Sequence, residues 1–241
     1  MENFQLPSPI TELHSPFLKQ HGVRLCLKRE DLIHSEISGN KWRKLKFNIL
    51  EAEKQELNTL LTFGGAFSNH IAATAAAGNK FNLKTIGIIR GEEGFNNKTM
   101  LLAKANGMRL HFISRENYKK KADSAFLKEL ENQFGRFYMI PEGGANEFGV
   151  KGCEEILQEV DKSYEVIACP AGTGTTVSGI ARKLESEKLI VFPALKGGAF
   201  ILEEMKKYCS SEELKNVDLQ LDFHFGGYAK TKPELIDFYY Q

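Results

Sequence analysis

The chain has 241 residues, 42% of them hydrophobic and 26% charged, which is ordinary for a globular protein with length for one large or two modest cores. Its 32 Lys and Arg against 31 Asp and Glu leave a net charge of +1, so no basic footprint points to nucleic acid as a partner. Cys26, Cys153, Cys169 and Cys209 are widely spaced with no Cys-x-x-Cys pair, which gives no zinc-knuckle or thioredoxin-like signature.

Cys26 and Cys169 sit in apolar, strand-like runs and are expected to be buried thiols, as in a reducing compartment. The start of the chain shows no basic segment followed by an apolar one, and no apolar run is long enough to cross a membrane. The expected address is the cytoplasm.

In chain order, apolar runs at 23–28, 59–62, 84–89, 109–113, 137–140, 165–169, 189–193 and 219–223 predict strands. Helical patterns fall between them, at 41–54, 68–80, 96–106, 117–132, 150–161, 175–185 and 198–208. In the first helix Leu45, Ile49 and Leu50 form the expected apolar face. The strands are continuous apolar runs, as in parallel sheets covered on both faces, so the pattern is α/β and doubly wound. Lys119, Lys120 and Lys121 are expected on a solvated helix face.

Glycine clusters at Gly64-Gly65, Gly143-Gly144, Gly172-x-Gly174, Gly197-Gly198 and Gly226-Gly227, each after an expected strand. Ligands of open α/β sheets bind beyond the carboxyl ends of strands, and glycine there lets backbone N–H groups come close.

Lys41 follows the turn Ser38-Gly39-Asn40 and opens a helix beside Arg43, Lys44 and Lys46. A lysine so placed is either part of a solvated cationic face or an amine whose neighbours tune it for condensation with an aldehyde. Ser68 in Phe63-Gly64-Gly65-Ala66-Phe67-Ser68-Asn69-His70 either caps the helix that follows or presents its hydroxyl, with Asn69, to an anion or phenolate-like oxygen. The turn Gly172-Thr173-Gly174-Thr175-Thr176 is either an ordinary helix cap or a phosphate cradle built from N–H groups and hydroxyls. It matches neither the dinucleotide nor the Walker fingerprint.

The motifs Gly39-Asn40-Lys41-x-Arg43-Lys44-Leu45, Gly64-Gly65-x-x-Ser68-Asn69-His70, Ile140-Pro141-x-Gly143-Gly144-x-Asn146-x-x-Gly149 and Thr173-Gly174-Thr175-Thr176 occur in this order. Together they resemble the 1-aminocyclopropane-1-carboxylate (ACC) deaminase and D-cysteine desulfhydrase family. Its members are tryptophan-synthase-β-like, fold-type-II enzymes that use pyridoxal 5′-phosphate.

The resemblance implies two doubly wound open parallel-sheet domains. A small one spans 45–148, and a larger, discontinuous cofactor-binding one is made of 1–44 and 149–241. It also implies a homodimer acting on a small amino acid. Lys41 would form the Schiff base and move protons at the substrate α-carbon. Asn69 would bond the cofactor ring hydroxyl, and Thr173, Gly174, Thr175 and Thr176 would hold the phosphate with Lys44 adding charge. Ser68 and His70 would lie near the substrate carboxylate, with Ser68 a catalytic candidate. Tyr228 would stand beside the cofactor as a further catalytic residue.

Family members continue past this region into an Asp-Pro-x-Tyr-x-Gly-Lys-type motif that this sequence does not reach before Gln241. The alternatives are a shortened, non-catalytic relative that binds pyridoxal phosphate or only an anion, and another fold-type-II enzyme such as a β-replacement synthase or a dehydratase.

Overall fold

A computed structural model describes residues 4–92, 97–161, 163–224 and 231–239. The chain divides into two compact units, Met1–Gly144 and Ala145–Gln241.

The first unit opens with strand β1 (Ile10–Leu13), helix α1 (Pro16–Gln20) and strand β2 (Leu25–Lys28). β1 and β2 pair antiparallel, with Ile10 opposite Lys28. There follow α2 (Lys41–Lys54), β3 (Thr59–Gly65), α3 (Asn69–Lys80), β4 (Lys84–Arg90), α4 (Lys98–Ala105), β5 (Arg109–Ile113), α5 (Arg115–Lys119), α6 (Ser124–Phe134) and β6 (Tyr138–Ile140). β3 to β6 form one parallel sheet in the order β5-β4-β3-β6.

Alternation along β3 sends Leu60 to the face covered by α2 and α3, among Trp42, Leu45, Ile49, Ala73 and Ala77. Leu61 and Phe63 point to the opposite face, under Tyr118 and Leu130 of α5 and α6. Helices therefore cover both faces, and both apolar residues of each pleat are buried, which is why the strand reads as a continuous apolar run. Each fully buried Leu or Ile contributes roughly 1.5–3 kcal/mol relative to exposure. The alanines of α3 bring that helix close to the sheet. A Cβ on Gly78 would stand 2.2 Å from Thr85 Cγ2 of β4, so only glycine fits there.

The chain runs from β3 through β4 to β5 on one side and then returns to place β6 on the other side of β3. The carboxyl ends of β3 and β6 thus flank a topological switch point, where open α/β sheets bind ligands.

The second unit comprises α7 (Glu147–Gln158), β7 (Val166–Ala171), α8 (Thr175–Ala181), β8 (Lys188–Pro193), α9 (Phe200–Met205), α10 (Ser211–Leu214), β9 (Val217–Leu219) and α11 (Pro233–Tyr239). Its sheet is parallel, in the order β7-β8-β9. Val177, Ile180, Leu189, Val191, Ile201 and Met205 form its core. α7 and α8 touch at backbone distance, because a Cβ on Gly179 would lie 2.5 Å from Cys153 Cβ and 2.6 Å from Val150 O.

The α/β class with parallel sheets agrees with the sequence, and α2 has the expected bounds. Several elements differ. The β1–β2 hairpin was not foreseen, since all four residues of β1 are exposed and carry no buried pattern. The single helix expected over 117–132 is two, α5 and α6, because Asp123 caps a new helix by accepting from Ala125 N and Phe126 N. The strand expected over 219–223 is instead Val217–Leu219, in register with β8. Leu50 of α2 is exposed, and Trp42 and Ala52 take its place in the core.

Cys26 and Cys169 are half-buried, while Cys153 and Cys209 are the buried thiols. Lys121 is not simply solvated: it pairs with Glu142 and stands over the Tyr118 ring. Among the described residues, no helix is long and apolar enough to cross a membrane.

Candidate active site

Lys41 is the first residue of α2, entered from Gly39 in the left-handed region (φ +64). Its Nζ donates to Asn40 Oδ1 at 2.8 Å. The side chain is half-buried, whereas Trp42, Arg43, Lys44 and Leu45 after it are buried.

The turn is anchored from below. Arg43, with no exposed surface, donates from Nε and Nη2 to the two carboxylate oxygens of Glu30, each at 2.9 Å. Ser8 Oγ donates to the same carboxylate at 2.7 Å, and Gly39 N donates to Glu30 O at 3.1 Å. A buried guanidinium with a two-pronged carboxylate partner fixes geometry in a way one long side chain cannot.

At the carboxyl end of β3, Gly64 lets the chain fold back onto α3, since a Cβ there would lie 2.5 Å from Ile71 Cγ1 and 2.9 Å from Ser68 Oγ. Ser68 caps α3, its hydroxyl accepting from Ile71 N at 3.4 Å. Asn69, the first helical residue, is exposed, and His70 is buried. His70 Nε2 lies 2.9 Å from Thr62 Oγ1, which lies 2.8 Å from Ile140 O of β6. No hydrogen-bond partner reaches the other ring nitrogen, Nδ1. Burial pushes the His70 pKa down to about 3, and the positive charges of Lys41 and then Lys44 act in the same direction. The imidazole is therefore neutral throughout the physiological range.

β6 ends in the tight turn Glu142–Gly144, where Gly143 and Gly144 have φ of +69 and +70. A Cβ on Gly144 would meet Lys44 Cβ at 2.9 Å and His70 Cε1 at 3.6 Å. The first unit thus gathers two of the four motifs and the start of a third: Lys41 and Lys44 from α2, Ser68, Asn69 and His70 at the start of α3, and the glycine pair after β6.

The fourth motif lies in the second unit, at the carboxyl end of β7. Gly174, with φ +78, turns the chain into α8. Thr173 Oγ1 and Thr175 Oγ1 are 3.2 Å apart, Thr175 and Thr176 are buried, and Ser178 Oγ ties the first turn by donating to Gly174 O at 3.0 Å. A Cβ on Gly172 would meet nothing within 4 Å, which leaves open space beside the backbone. Hydroxyls and main-chain N–H groups on such a turn suit an anion such as a phosphate. Tyr228 lies outside the described residues. Among those described, no group of three or more His, Cys, Asp or Glu could hold a metal ion.

Two participants were not singled out from sequence. Thr62 orients His70, and its signal was a threonine inside an otherwise apolar strand. Glu30 anchors Arg43, and its signal was an acidic residue within Lys28-Arg29-Glu30-Asp31 before the glycine turn.

Residues 2–196 match the model of the family described as pyridoxal-phosphate dependent enzyme. The bifunctional D-cysteine desulfhydrase/1-aminocyclopropane-1-carboxylate deaminase of Arabidopsis thaliana, a mitochondrial protein, is 35% identical over 195 residues, 73% of this chain and 48% of that protein. A D-cysteine desulfhydrase of Klebsiella pneumoniae is 31% identical over 201 residues, 77% of this chain and 60% of that one. This chain thus spans about half to three fifths of the length of these two relatives. The crystal structure of an ACC deaminase homologue superposes with a TM-score of 0.82 and 25% identity, covering 98% of this chain and 77% of that one. Serine racemase from Dictyostelium discoideum shares the fold at a TM-score of 0.64 and 18% identity, over 88% of this chain and 74% of its own.

Proposed function

The chain belongs to the pyridoxal-phosphate-dependent enzyme family, and from that premise we propose that it is a deaminase or desulfhydrase acting on a small amino acid of the ACC or D-cysteine type. One observation carries the reading: Lys41 opens α2 from a left-handed glycine turn, and its charge and that of Lys44 bear on a buried, neutral His70.

Pyridoxal phosphate, when bound, supplies an aldehyde for a lysine amine and a ring that withdraws electrons from the substrate α-carbon. In this reading Lys41 is the amine that takes the cofactor and moves the proton at the α-carbon. Its hydrogen bond to Asn40 and the anchored turn beneath it hold the amine in place. Thr173, Gly174, Thr175 and Thr176 hold the phosphate, and Lys44 contributes positive charge. Asn69, exposed at the start of α3, holds the ring hydroxyl. Ser68 and His70 contribute to amino-acid binding, and Tyr228 is assigned the remaining catalytic position. The division into a small domain of 45–148 and a larger domain of 1–44 and 149–241, a homodimer and a cytoplasmic address belong to the same proposal.

The open, anion-suited turn after β7 is what a phosphorylated ligand requires, and it supports the cofactor assignment over a bare scaffold. The test is to mix the purified chain with pyridoxal phosphate and follow visible absorbance, then add D-cysteine or ACC and measure sulfide and ammonia. Release of either product supports the proposal. A coloured chain that releases neither favours the non-catalytic relative or another fold-type-II activity. A chain that never takes up the cofactor overturns the reading.

A further inference from the structure

Between β2 and α2 the chain runs through His34-Ser35-Glu36-Ile37-Ser38-Gly39-Asn40 and ends on Lys41. One side chain ties this segment from within. His34 Nδ1 accepts from Glu36 N at 3.1 Å and from Ile37 N at 3.3 Å. An imidazole nitrogen accepts only when it carries no proton, so the neutral ring has its N–H on Nε2. Ile37, fixed in this way, enters the core beside Ile33, Trp42 and Leu45. Two residues later Gly39 N donates to Glu30 O at 3.1 Å, and the turn opens onto Lys41.

The His34 ring centroid lies 4.9 Å from that of Phe4, which stacks on Trp42 at 3.9 Å. His34 is half-buried, not sealed from solvent. Among the described residues two charged groups bear on it. Lys80, from α3, disfavours the imidazolium, and Glu36, on the same segment, favours it. Burial outweighs both, and the balance holds the ring below the ordinary histidine value of 6.5. The ring is therefore neutral at pH 7 and takes up its proton only in acid.

Proton uptake reverses the role of Nδ1. It becomes a donor facing two N–H donors, and the Glu36 and Ile37 amides lose their acceptor together. Backbone donors left unmatched in a folded chain are costly, and the segment relieves the conflict by moving.

We propose that His34 is a positioning residue: its neutral ring holds the turn that presents Lys41, and protonation of Nδ1 releases that turn. The hold on the turn rests on the two Nδ1 bonds. Its effect on the cofactor rests on the reading above, in which Lys41 is the amine that takes it.

The test follows amide and histidine spectra of the full chain without cofactor, from about pH 8 to about pH 5, together with the fluorescence of Trp42, the only tryptophan. In the unsubstituted chain the Glu36, Ile37, Asn40 and Lys41 amides should move along one curve with the His34 ring as it takes up a proton, and Trp42 should follow that curve. His34→Asn puts an oxygen where Nδ1 stands, accepts from the same N–H groups and does not titrate. It should hold those amides in place over the whole range. His34→Phe keeps a ring beside Phe4 but has no acceptor, and it should show the released pattern already at pH 8. His70 is intact in both variants, so its own titration cancels from the comparison. Amides that stay in place while the His34 ring titrates overturn the proposal without recourse to any variant. A His34→Asn chain that keeps the full acid response also overturns it.

Pyridoxal phosphate uptake gives the second readout. Near pH 5 His34→Asn should bind the cofactor about tenfold more tightly than the unsubstituted chain, and near pH 8 the two should be equal. Equal binding at both values overturns the link between His34 and Lys41, while the cofactor reading stands. If the cofactor never binds, that reading fails, and the Asn40 and Lys41 amides alone decide whether His34 holds the turn.

Discussion

Gly144 and Lys44 approach so closely that a Cβ on the glycine would stand 2.9 Å from the Cβ of the lysine. The glycine also has φ +70, where an L side chain costs roughly 1–2 kcal/mol before any contact is counted. Gly144→Ala is therefore expected to lower stability by about 2 kcal/mol or more and to displace Lys44 and the start of α2. Urea unfolding gives the first number, and pyridoxal phosphate titration gives the second effect as weakened uptake. A variant with unchanged stability and uptake would mean that the turn after β6 is not set against α2 as described.

Borohydride added to the chain with pyridoxal phosphate should fix the cofactor on Lys41, read by peptide mass. Label on Lys44 or Lys46 would show that the wrong amine has been chosen. Lys41→Ala should lose the covalent adduct, and it should fold, because Lys41 is half-buried at a helix start.

The depressed His70 pKa makes stability depend on pH in a defined direction. The unfolded chain protonates this ring near 6.5, the folded chain only near 3. Between those values the unfolded state binds more protons, so stability rises with pH. The contribution is complete above about pH 6.5 and declines by up to about 1.4 kcal/mol for each unit as pH falls towards 3. Unfolding free energies at pH 7 and pH 5 should show a larger acid loss for the unsubstituted chain than for His70→Gln, whose side chain does not titrate. Equal losses in the two proteins would contradict a buried, neutral imidazole.

Gly174→Asp should abolish or strongly reduce pyridoxal phosphate affinity, and Thr176→Ala should reduce it less. The aspartate adds a negative charge where the turn offers N–H groups and hydroxyls to an anion. It also places a side chain at φ +78, with Glu204 Cβ 3.2 Å from the new Cβ. To separate the two effects, Gly174→Asn brings nearly the same shape without the charge. If both variants bind the cofactor as well as the unsubstituted chain, the phosphate is held elsewhere.

The parts of this fold that were legible in the sequence are those set by local pattern. α2 starts directly after the Gly39-Asn40 turn, and the buried strands β3 and β4 declare themselves by unbroken apolar runs. β1 was hidden because an exposed four-residue strand buries nothing and so leaves no periodicity. The break between α5 and α6 was hidden because the apolar pattern continues across it, and only the Asp123 cap marks the new start.

At the site, ordered motifs named the lysine, the serine cap and the glycine turns. They could not name Thr62, whose meaning comes from Ile140, 78 positions away. They could not give the Thr62 partner of His70 either, because that contact joins a strand to a helix. The exposure of Asn69 and the burial of His70, neighbours in sequence, likewise follow only from how α3 lies on the sheet.

The anchored turn beneath Lys41 has a consequence for how this sequence can vary. Arg43 is fully buried and Glu30 is only 15% exposed; their charges neutralise each other, and Ser8 bonds the same carboxylate. Losing Glu30 takes a charged partner from a fully buried guanidinium, at a cost of up to about 3–5 kcal/mol, comparable to the whole stability margin of many domains. Replacing both by apolar residues of matched volume costs far less. The two positions, 13 residues apart, therefore form an epistatic pair. A substitution at either is tolerated only in a background where the other has already changed, so any path between such sequences has to pass through a much weaker fold or change both at once.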